Sequence, residues 1–312
     1  MKAPTSVVGI VVSAFLAGAT SAVAGDLAAV VGAIEDPCAN VPRGCGKIAF
    51  VSDRGGNRDI YSVDVDGSRL ARLTTAAEYD IDPKWSPDGL RIAFLSNRTG
   101  SYQIYVMNAD GSNVVQRTFS GFAETPAWSP DGTKIAYATL SNGSANLWVV
   151  SADAGGPGPT LLFEAPGWDG QPAWSPDGAR LALVSDWAAY DFVDDIYLIN
   201  ADGSGFTAIT GDIFDHVDYF NPTWSPTDRL AVHITQRIGT TNDYASKVGV
   251  MNSDGSGLTP LIPAAPWTTS SWSPDGERIA FTTLSGDIAW VNADGTGKGL
   301  IVTDGWNPSW RR

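Results

Sequence analysis

The chain is poor in the residues that build metal and nucleophilic centres: its 312 residues include two cysteines, two histidines and three methionines. A histidine-rich metal site cannot be assembled from His216 and His233 alone. Basic residues are scarce as well, 20 against 34 acidic ones, giving a formal net charge of −14. Duplex nucleic acid and anionic membrane surfaces are excluded as natural partners, because binding phosphate requires a basic stripe. No Gly-x-Ser-x-Gly motif occurs, so the strand–turn–helix nucleophile of the α/β-hydrolases has no counterpart.

One apolar run stands out. Lys2 precedes the stretch from Val7 to Ala19, and Ala22-Val23-Ala24 follows with the small-x-small pattern of a cleavage site. Residues 1–24 therefore read as a signal peptide cleaved after Ala24. This implies a periplasmic or secreted protein with no membrane span after cleavage. Cys38 and Cys45 lie within the leader segment 25–46, where an oxidising compartment would join them as a disulfide.

What the chain has in abundance is a repeat. Trp-Ser-Pro-Asp-Gly occurs at 85–89, 128–132, 174–178 and 272–276, with Trp-Ser-Pro-Thr-Asp at 224–228 and Asn-Pro-Ser-Trp ending at Trp310. A second element follows each turn: a basic residue, a branched apolar residue, alanine and a large residue, as in Lys47-Ile48-Ala49-Phe50 or Arg278-Ile279-Ala280-Phe281. Six copies share one alanine column, at 49, 93, 136, 182, 231 and 280. A small residue held among bulky neighbours predicts a close contact between packed sheets. A third element is an alternating strand ending in Asp-Gly, as from Ile60-Tyr61 to Asp66-Gly67, which is a hairpin signal because the turn requires positive φ.

Each unit is therefore four short strands recurring about every 45 residues. One such unit cannot cover both faces of its own sheet, so copies must stack. The expected fold is all-β: a six-bladed β-propeller of four-stranded antiparallel blades over 47–312. The first unit lacks an inner strand, and 306–312 has nothing else to pair with. The C-terminal strand (306–312) should complete the first blade (47–73) and remove an open sheet edge.

These turns and strands resemble the bacterial WD40-like (PD40) repeat found in TolB-like propellers, over about residues 47–312. The resemblance implies a propeller and a cell-envelope role in binding another protein. TolB-like proteins carry an additional α/β domain before the propeller, whereas here 25–46 precede the first blade. Related propellers gate prolyl-oligopeptidase-like enzymes or form the scaffold of oligogalacturonate lyases, so the fold alone leaves several functions open.

The tight turns between strands one and two, and three and four, share one face and are nearly constant in length. The loops between strands two and three, and the crossovers between blades, vary and share the other face. Variable loops on a rigid scaffold are where binding is usually carried. The longest are 185–195, 212–221 and 234–247. Candidate ligand contacts on this face are Trp187, Tyr190, Asp191, Phe192, Phe214, Asp215, Tyr219, Tyr244, Trp168 and Trp267. Aromatic rings among carboxylates suit a protein or peptide, or a cell-envelope component such as a polysaccharide.

Three residues before each repeat tryptophan stand Asp82, Thr125, Gln171, Asn221, Thr269 and Asn307, which should ring one mouth of the central channel. A water-filled channel alone would account for their polarity. No catalytic motif, metal site or cofactor site is recognised, and the expectation is a monomeric binding module that is not an enzyme. The alternative is a carbohydrate-binding or carbohydrate-processing propeller using carboxylates on the same face.

Overall fold

The computed structural model describes residues 46–141, 144–164, 167–186, 194–211, 217–238 and 243–311. Blade 1 contains β1 (Lys47–Ser52), β2 (Asp59–Asp64) and β3 (Ala71–Arg72). Blade 2 contains β4 (Asp80–Trp85), β5 (Arg91–Ser96), β6 (Gln103–Asn108) and β7 (Val115–Gln116). Blade 3 contains β8 (Phe122–Trp128), β9 (Lys134–Ser141), β10 (Ser144–Ser151) and β11 (Thr160–Phe163). Blade 4 follows with β12 (Asp169–Trp174), β13 (Arg180–Ser185), β14 (Asp195–Asn200) and β15 (Thr207–Ala208). Blade 5 has β16 (Val217–Trp224), β17 (Arg229–Ile238), β18 (Asp243–Asn252) and β19 (Thr259–Pro263). Blade 6 has β20 (Ser271–Trp272), β21 (Arg278–Thr282), β22 (Ile288–Asn292) and β23 (Lys298–Val302). The final strand, β24 (Trp306–Trp310), is the inner strand of blade 1, giving the order β24-β1-β2-β3.

The result is a six-bladed propeller of four-stranded antiparallel sheets. Ring closure is carried by the pairs Ile48↔Trp310 and Ala49↔Ser309 between β1 and β24. Trp310 is buried in one cluster with Ile48, Phe50 and Tyr61, so the last strand contributes to the core as well as to the ladder.

All six alanines of the repeat column are fully buried. They let neighbouring sheets approach, while the large residues on either side fill the space between blades. Five of the repeat tryptophans are buried, and the sixth, Trp174, is partly so. Three of them also stitch blades together. Trp128, Trp224 and Trp272 donate their indole N–H groups to the carbonyls of Lys84, Ala173 and Thr223 in the preceding blade, at 2.9, 3.0 and 3.0 Å.

The Ser-Pro-Asp-Gly turns fix themselves. Ser129 Oγ donates to Asp131 Oδ1 and accepts the N–H of Lys134, while Asp131 Oδ1 accepts the N–H of Thr133. Gly132 occupies φ 69°. The same hydroxyl and amide donors hold Asp131 and Asp177 below the usual carboxylate range, led in both by the serine hydroxyl. These aspartates are consumed by turn geometry.

Blade 5 departs from the loop assignment of the sequence. The spacing predicts a long loop over 234–247, yet β17 runs to Ile238 and β18 resumes at Asp243, with register from Arg229↔Asn252 to Ile238↔Asp243. Likewise β16 begins at Val217, inside the expected loop 212–221. The ladder continues because Val217, Tyr219, Ile234 and Val248 are buried and give the longer strands a core to pack against. No helix among the described residues is long and apolar enough to cross a membrane. Residues 1–45, with the signal segment and Cys38 and Cys45, lie outside the described residues.

Candidate functional site

The innermost strands of blades 2 to 5 bend as they enter the axis. Register shifts occur between Ile81 and Lys84, Glu124 and Ala127, Gly170 and Ala173, and Phe220 and Thr223. At each shift sits a non-glycine residue in the left-handed region: Asp82, Thr125, Gln171 and Asn221 have φ of 52°, 47°, 51° and 49°, and Asn307 on β24 has 54°. A β-bulge re-aims side chains, and Asp and Asn tolerate this conformation better than most residues. Thr125 is β-branched, so it carries real strain, of order 1–3 kcal/mol.

Of the six polar positions, the bulges bring Asp82, Thr125, Gln171 and Asn221 into the lining of an axial cavity of about 160 Å³, which Thr269 also lines. The sixth, Asn307, touches the same ring through its Oδ1, which accepts the N–H of Thr269 at 3.2 Å. The ring is braced from blade to blade. Gln171 Oε1 accepts the N–H of Asn221, and Asn221 Nδ2 donates to the carbonyl of Thr268. Lys84 lies 2.7 Å from Asp82 Oδ1 and reaches Thr269 Oγ1 at 3.4 Å. Beside them Glu124 has its carboxyl pushed up, first by burial and then by the Asp82 charge. Sequence reasoning misses Lys84 and Glu124. Their alternation with the ring residues along the inner strands is the signal that could have found them.

The large aromatics exposed among the described residues are Tyr79, Phe119 and Trp267, and each lies on a crossover between blades. All three therefore share the variable-loop face. The large apolar residues exposed at the tight turns of the opposite face are aliphatic: Leu70, Leu90 and Val114.

The candidate contacts are divided by the structure. Trp267 is 52% exposed and stands edge-on to Phe220 at 4.5 Å. Trp168 is half-buried over Gly170, where its ring fills the space of a β-carbon, and Asp186 Oδ1 accepts its backbone N–H at 2.7 Å. Tyr219 is buried, because its place on β16 carries it into the core cluster that includes Ile196 and Val184 of blade 4. Tyr244 belongs to β18, with its side chain outside the described set, and Trp187, Tyr190, Asp191, Phe192, Phe214 and Asp215 lie outside the described residues.

Aligning the repeats by backbone hydrogen bonds exposes one more position. Two residues before the inward apolar residue of each third strand, the carbonyl accepts an N–H from the incoming crossover. Among the described residues these bonds are Asp80 to Arg58 at 2.9 Å, Ala123 to Tyr102 at 3.0 Å, Tyr219 to Asp194 at 2.7 Å, Ala264 to Ser246 at 3.1 Å and Gly305 to Gly286 at 2.9 Å. In blades 1, 2 and 4 the side chains meeting there are Arg58 with Tyr79, Tyr102 with Phe122, and Asp194 with Asp218. In blade 2 the slot is a closed aromatic pair, edge-on at 5.5 Å. In blade 4 it is acidic: Asp194 donates its N–H to Asp218 Oδ1 at 3.3 Å. Burial, then the charges of Asp218, Asp186 and Asp195, push the Asp194 carboxyl up to about 7.

His233, on β17, is fully buried, and burial pushes its imidazole down to about 4. It is neutral at physiological pH. Among the described residues no group of three His, Cys, Asp or Glu side chains is placed to hold a metal ion.

The family model described as "TolB beta propeller domain" matches residues 32–125 and 122–310. The Tol-Pal system protein TolB of Geobacter sulfurreducens is 48% identical over 44 residues, which is 14% of this chain and 10% of that protein. The match thus spans only a small part of that relative's length. The crystal structure of TolB from Acinetobacter baumannii superposes with a TM-score of 0.72 at 20% identity, covering 85% of this chain and 66% of that one. An oligogalacturonate lyase in complex with manganese superposes with a TM-score of 0.57 at 14% identity, covering 82% and 74%. At such identities the two structures speak for the fold alone, and it is a fold that serves binding and enzymatic proteins alike.

Proposed function

Because the chain belongs to the TolB β-propeller domain family, we propose that it is an exported binding module that recognises a protein or peptide of the cell envelope through its variable-loop face. The observation that carries this reading is the asymmetry of the two faces among the described residues: the exposed large aromatics Tyr79, Phe119 and Trp267 lie on one, and the exposed large apolar residues at the tight turns of the other are the aliphatic Leu70, Leu90 and Val114. Exposed aromatics around a polar, desolvated centre are the usual composition of a protein-recognition surface. The axial ring supplies that centre. Loops 185–195 and 212–221 would extend the same surface with Trp187, Tyr190 and Phe214. Residues 1–24 act as the export signal, and the mature chain works as a monomer.

The test is affinity capture from the native cell envelope with three proteins: wild type, the double variant Phe119→Ser with Trp267→Ala, and Leu90→Ser on the opposite face. The same partner should be retained by wild type and Leu90→Ser and lost by the double variant, with melting temperatures nearly equal. Equal capture by all three would discard the face assignment.

A second reading draws on the acidic slot of blade 4. Asp194, protonated near neutral pH beside Asp218, has the character of a general acid in a carbohydrate-processing site. Turnover of an acidic or neutral oligosaccharide that is lost in Asp194→Asn would favour it over the binding module.

A further inference from the structure

Among the slots that the crossover backbone bond marks in the described residues, which hold Arg58, Tyr102, Asp194, Ser246 and Gly286, blade 1 alone carries a basic residue. Where blade 2 places Tyr102 against Phe122, blade 1 places Arg58 against Tyr79. Packing alone would be met by another aromatic residue at position 58, so the arginine needs its own account. Its guanidinium carbon lies 5.5 Å from the centre of the Tyr79 ring and 5.8 Å from that of Trp306. Two rings thus lie within cation–π reach of the guanidinium, a contact that engages its charge without using its N–H donors.

Among the described residues nothing occupies those donors, and Arg58 makes no ion pair there, in a chain whose formal net charge is −14. The two buried carboxylates beside it, on its chain neighbour and across its backbone hydrogen bond, are already engaged. Asp59, its neighbour, is bound by Arg72 at 2.6 Å, and Asp80, which donates its backbone N–H to the Arg58 carbonyl, is gripped by Arg98 at 2.9 and 3.1 Å. The guanidinium lines an open cleft of about 530 Å³ on the variable-loop face, shared with Asn57, Tyr79 and Asn97. The cleft is built rather than incidental. Asn57 Nδ2 donates to the carbonyls of Ala76 at 2.8 Å and Glu78 at 3.0 Å, and Asn97 Oδ1 accepts the N–H of Tyr79 at 2.8 Å. These two amides fix the crossover that carries the Tyr79 ring.

We infer that this cleft is a carboxylate-recognition pocket, in which Arg58 takes a single carboxylate of a partner polypeptide and Tyr79 packs against the chain that bears it. A planar guanidinium with free in-plane donors matches a carboxylate two bonds at a time. The rim sets the number of charges. Asp53 and Glu78 are exposed at the same cleft, so one carboxylate aimed at Arg58 is attracted while a polyanion, with a charge on every unit, meets repulsion on both sides. This argues for a peptide over a polyuronate chain. The inference rests on the protein-binding reading above and names what the partner must present.

The experiment follows the Arg58 Nε–Hε resonance in isotope-labelled full-length protein. The probes are Ac-Gly-Glu-Gly-amide, Ac-Gly-Gly-Gly with a free C-terminus, Ac-Gly-Gln-Gly-amide and digalacturonic acid. A saturable shift is expected with one of the two carboxylate peptides, and which one responds tells a side-chain source from a C-terminal one. The glutamine peptide should bind roughly tenfold more weakly or worse. The shift of the Tyr79 ring should accompany that of Arg58 and vanish in Arg58→Tyr, which restores the blade 2 arrangement. Arg58→Gln and Arg58→Lys serve if that variant does not fold, the first abolishing the response and the second weakening it. The proposal is overturned by no saturable shift at Arg58, by an equal response to the glutamine peptide, or by preference for digalacturonic acid. Peptide binding without envelope capture would sink the functional reading alone. Capture that survives Arg58→Tyr while the peptides fail would sink this one alone.

Discussion

The slots of blades 1 and 4 occupy the same repeat position on opposite sides of a six-membered ring, yet carry opposite chemistry. One holds an arginine between aromatic rings, and the other holds two aspartates, one of them pushed up to about 7. The blade 2 slot, a buried tyrosine against phenylalanine, shows what the repeat does when only packing is asked of it. The fold therefore treats this position as a socket. Its backbone bond is constant, and its side chains are free to diverge because they sit at the mouth of the blade interface rather than in its depth. Divergence at a constant scaffold position is how a ring of similar blades acquires a surface with direction.

The contrast should break most visibly at the closed slot. Tyr102→Ala should cost about 3–5 kcal/mol of stability by urea denaturation, because it empties a buried aromatic site. Arg58→Ala should cost under about 1 kcal/mol, since its slot is open to water. Equal losses would show that Arg58 is a packing residue.

The acidic slot should be read by pH. Asp194 binds its proton more tightly folded than unfolded, so between about pH 4 and 7 the native state holds more protons and stability falls as pH rises. Asp194→Asn should flatten that window and raise stability at pH 8 by about 3 kcal/mol, at about 1.4 kcal/mol for each tenfold change in proton affinity and with some screening by water at the slot. A variant no more stable than wild type at pH 8 would deny the slot its strain.

His233 supplies the opposite slope. Its folded value near 4 lies below the ordinary value of 6.5, so the unfolded chain takes up the proton first and stability falls as pH drops from 6.5 toward 4. In the Asp194→Asn background this acid-side loss, about 3 kcal/mol, should stand alone. His233→Leu should remove it. If the loss persists, another group governs the acid limb.

The smallest effect is expected where the slots are made alike. Arg58→Tyr should change stability by less than about 1 kcal/mol in either direction, measured by urea midpoint at constant slope. A large loss would mean that the cation holds the crossover in place.

The architecture is almost wholly legible in the sequence. Tryptophan turns, the alanine column and Asp-Gly hairpins act locally, and each is repeated often enough to outweigh a degraded copy such as Asp153-Ala154-Gly155. The pairing of Trp310 with Ile48 follows from counting strands. The site is legible only in part. Position along the repeat locates the polar ring, but not the left-handed backbone at Thr125 or the reach of Lys84 across the axis, which depend on bulges no propensity marks. Tyr219 reads as loop because aromatic and acidic residues surround it, whereas alternation along β16 turns it into the core. Arg58 escapes notice because arginine is ordinary in a strand-connecting loop. Its meaning lies in the residues aligned with it, Tyr102 and Asp194, and in the pairing of Asp59 and Asp80 with other arginines.

The central claim, that one face of the ring does the binding, is tested most directly by photo-crosslinking from both faces. A photoreactive amino acid placed singly at 79, 119 and 267, and at 70, 90 and 114, would be irradiated in the native envelope. The account predicts a common adduct from the first three positions and none from the second three. Adducts of equal yield from 70, 90 and 114 would contradict it.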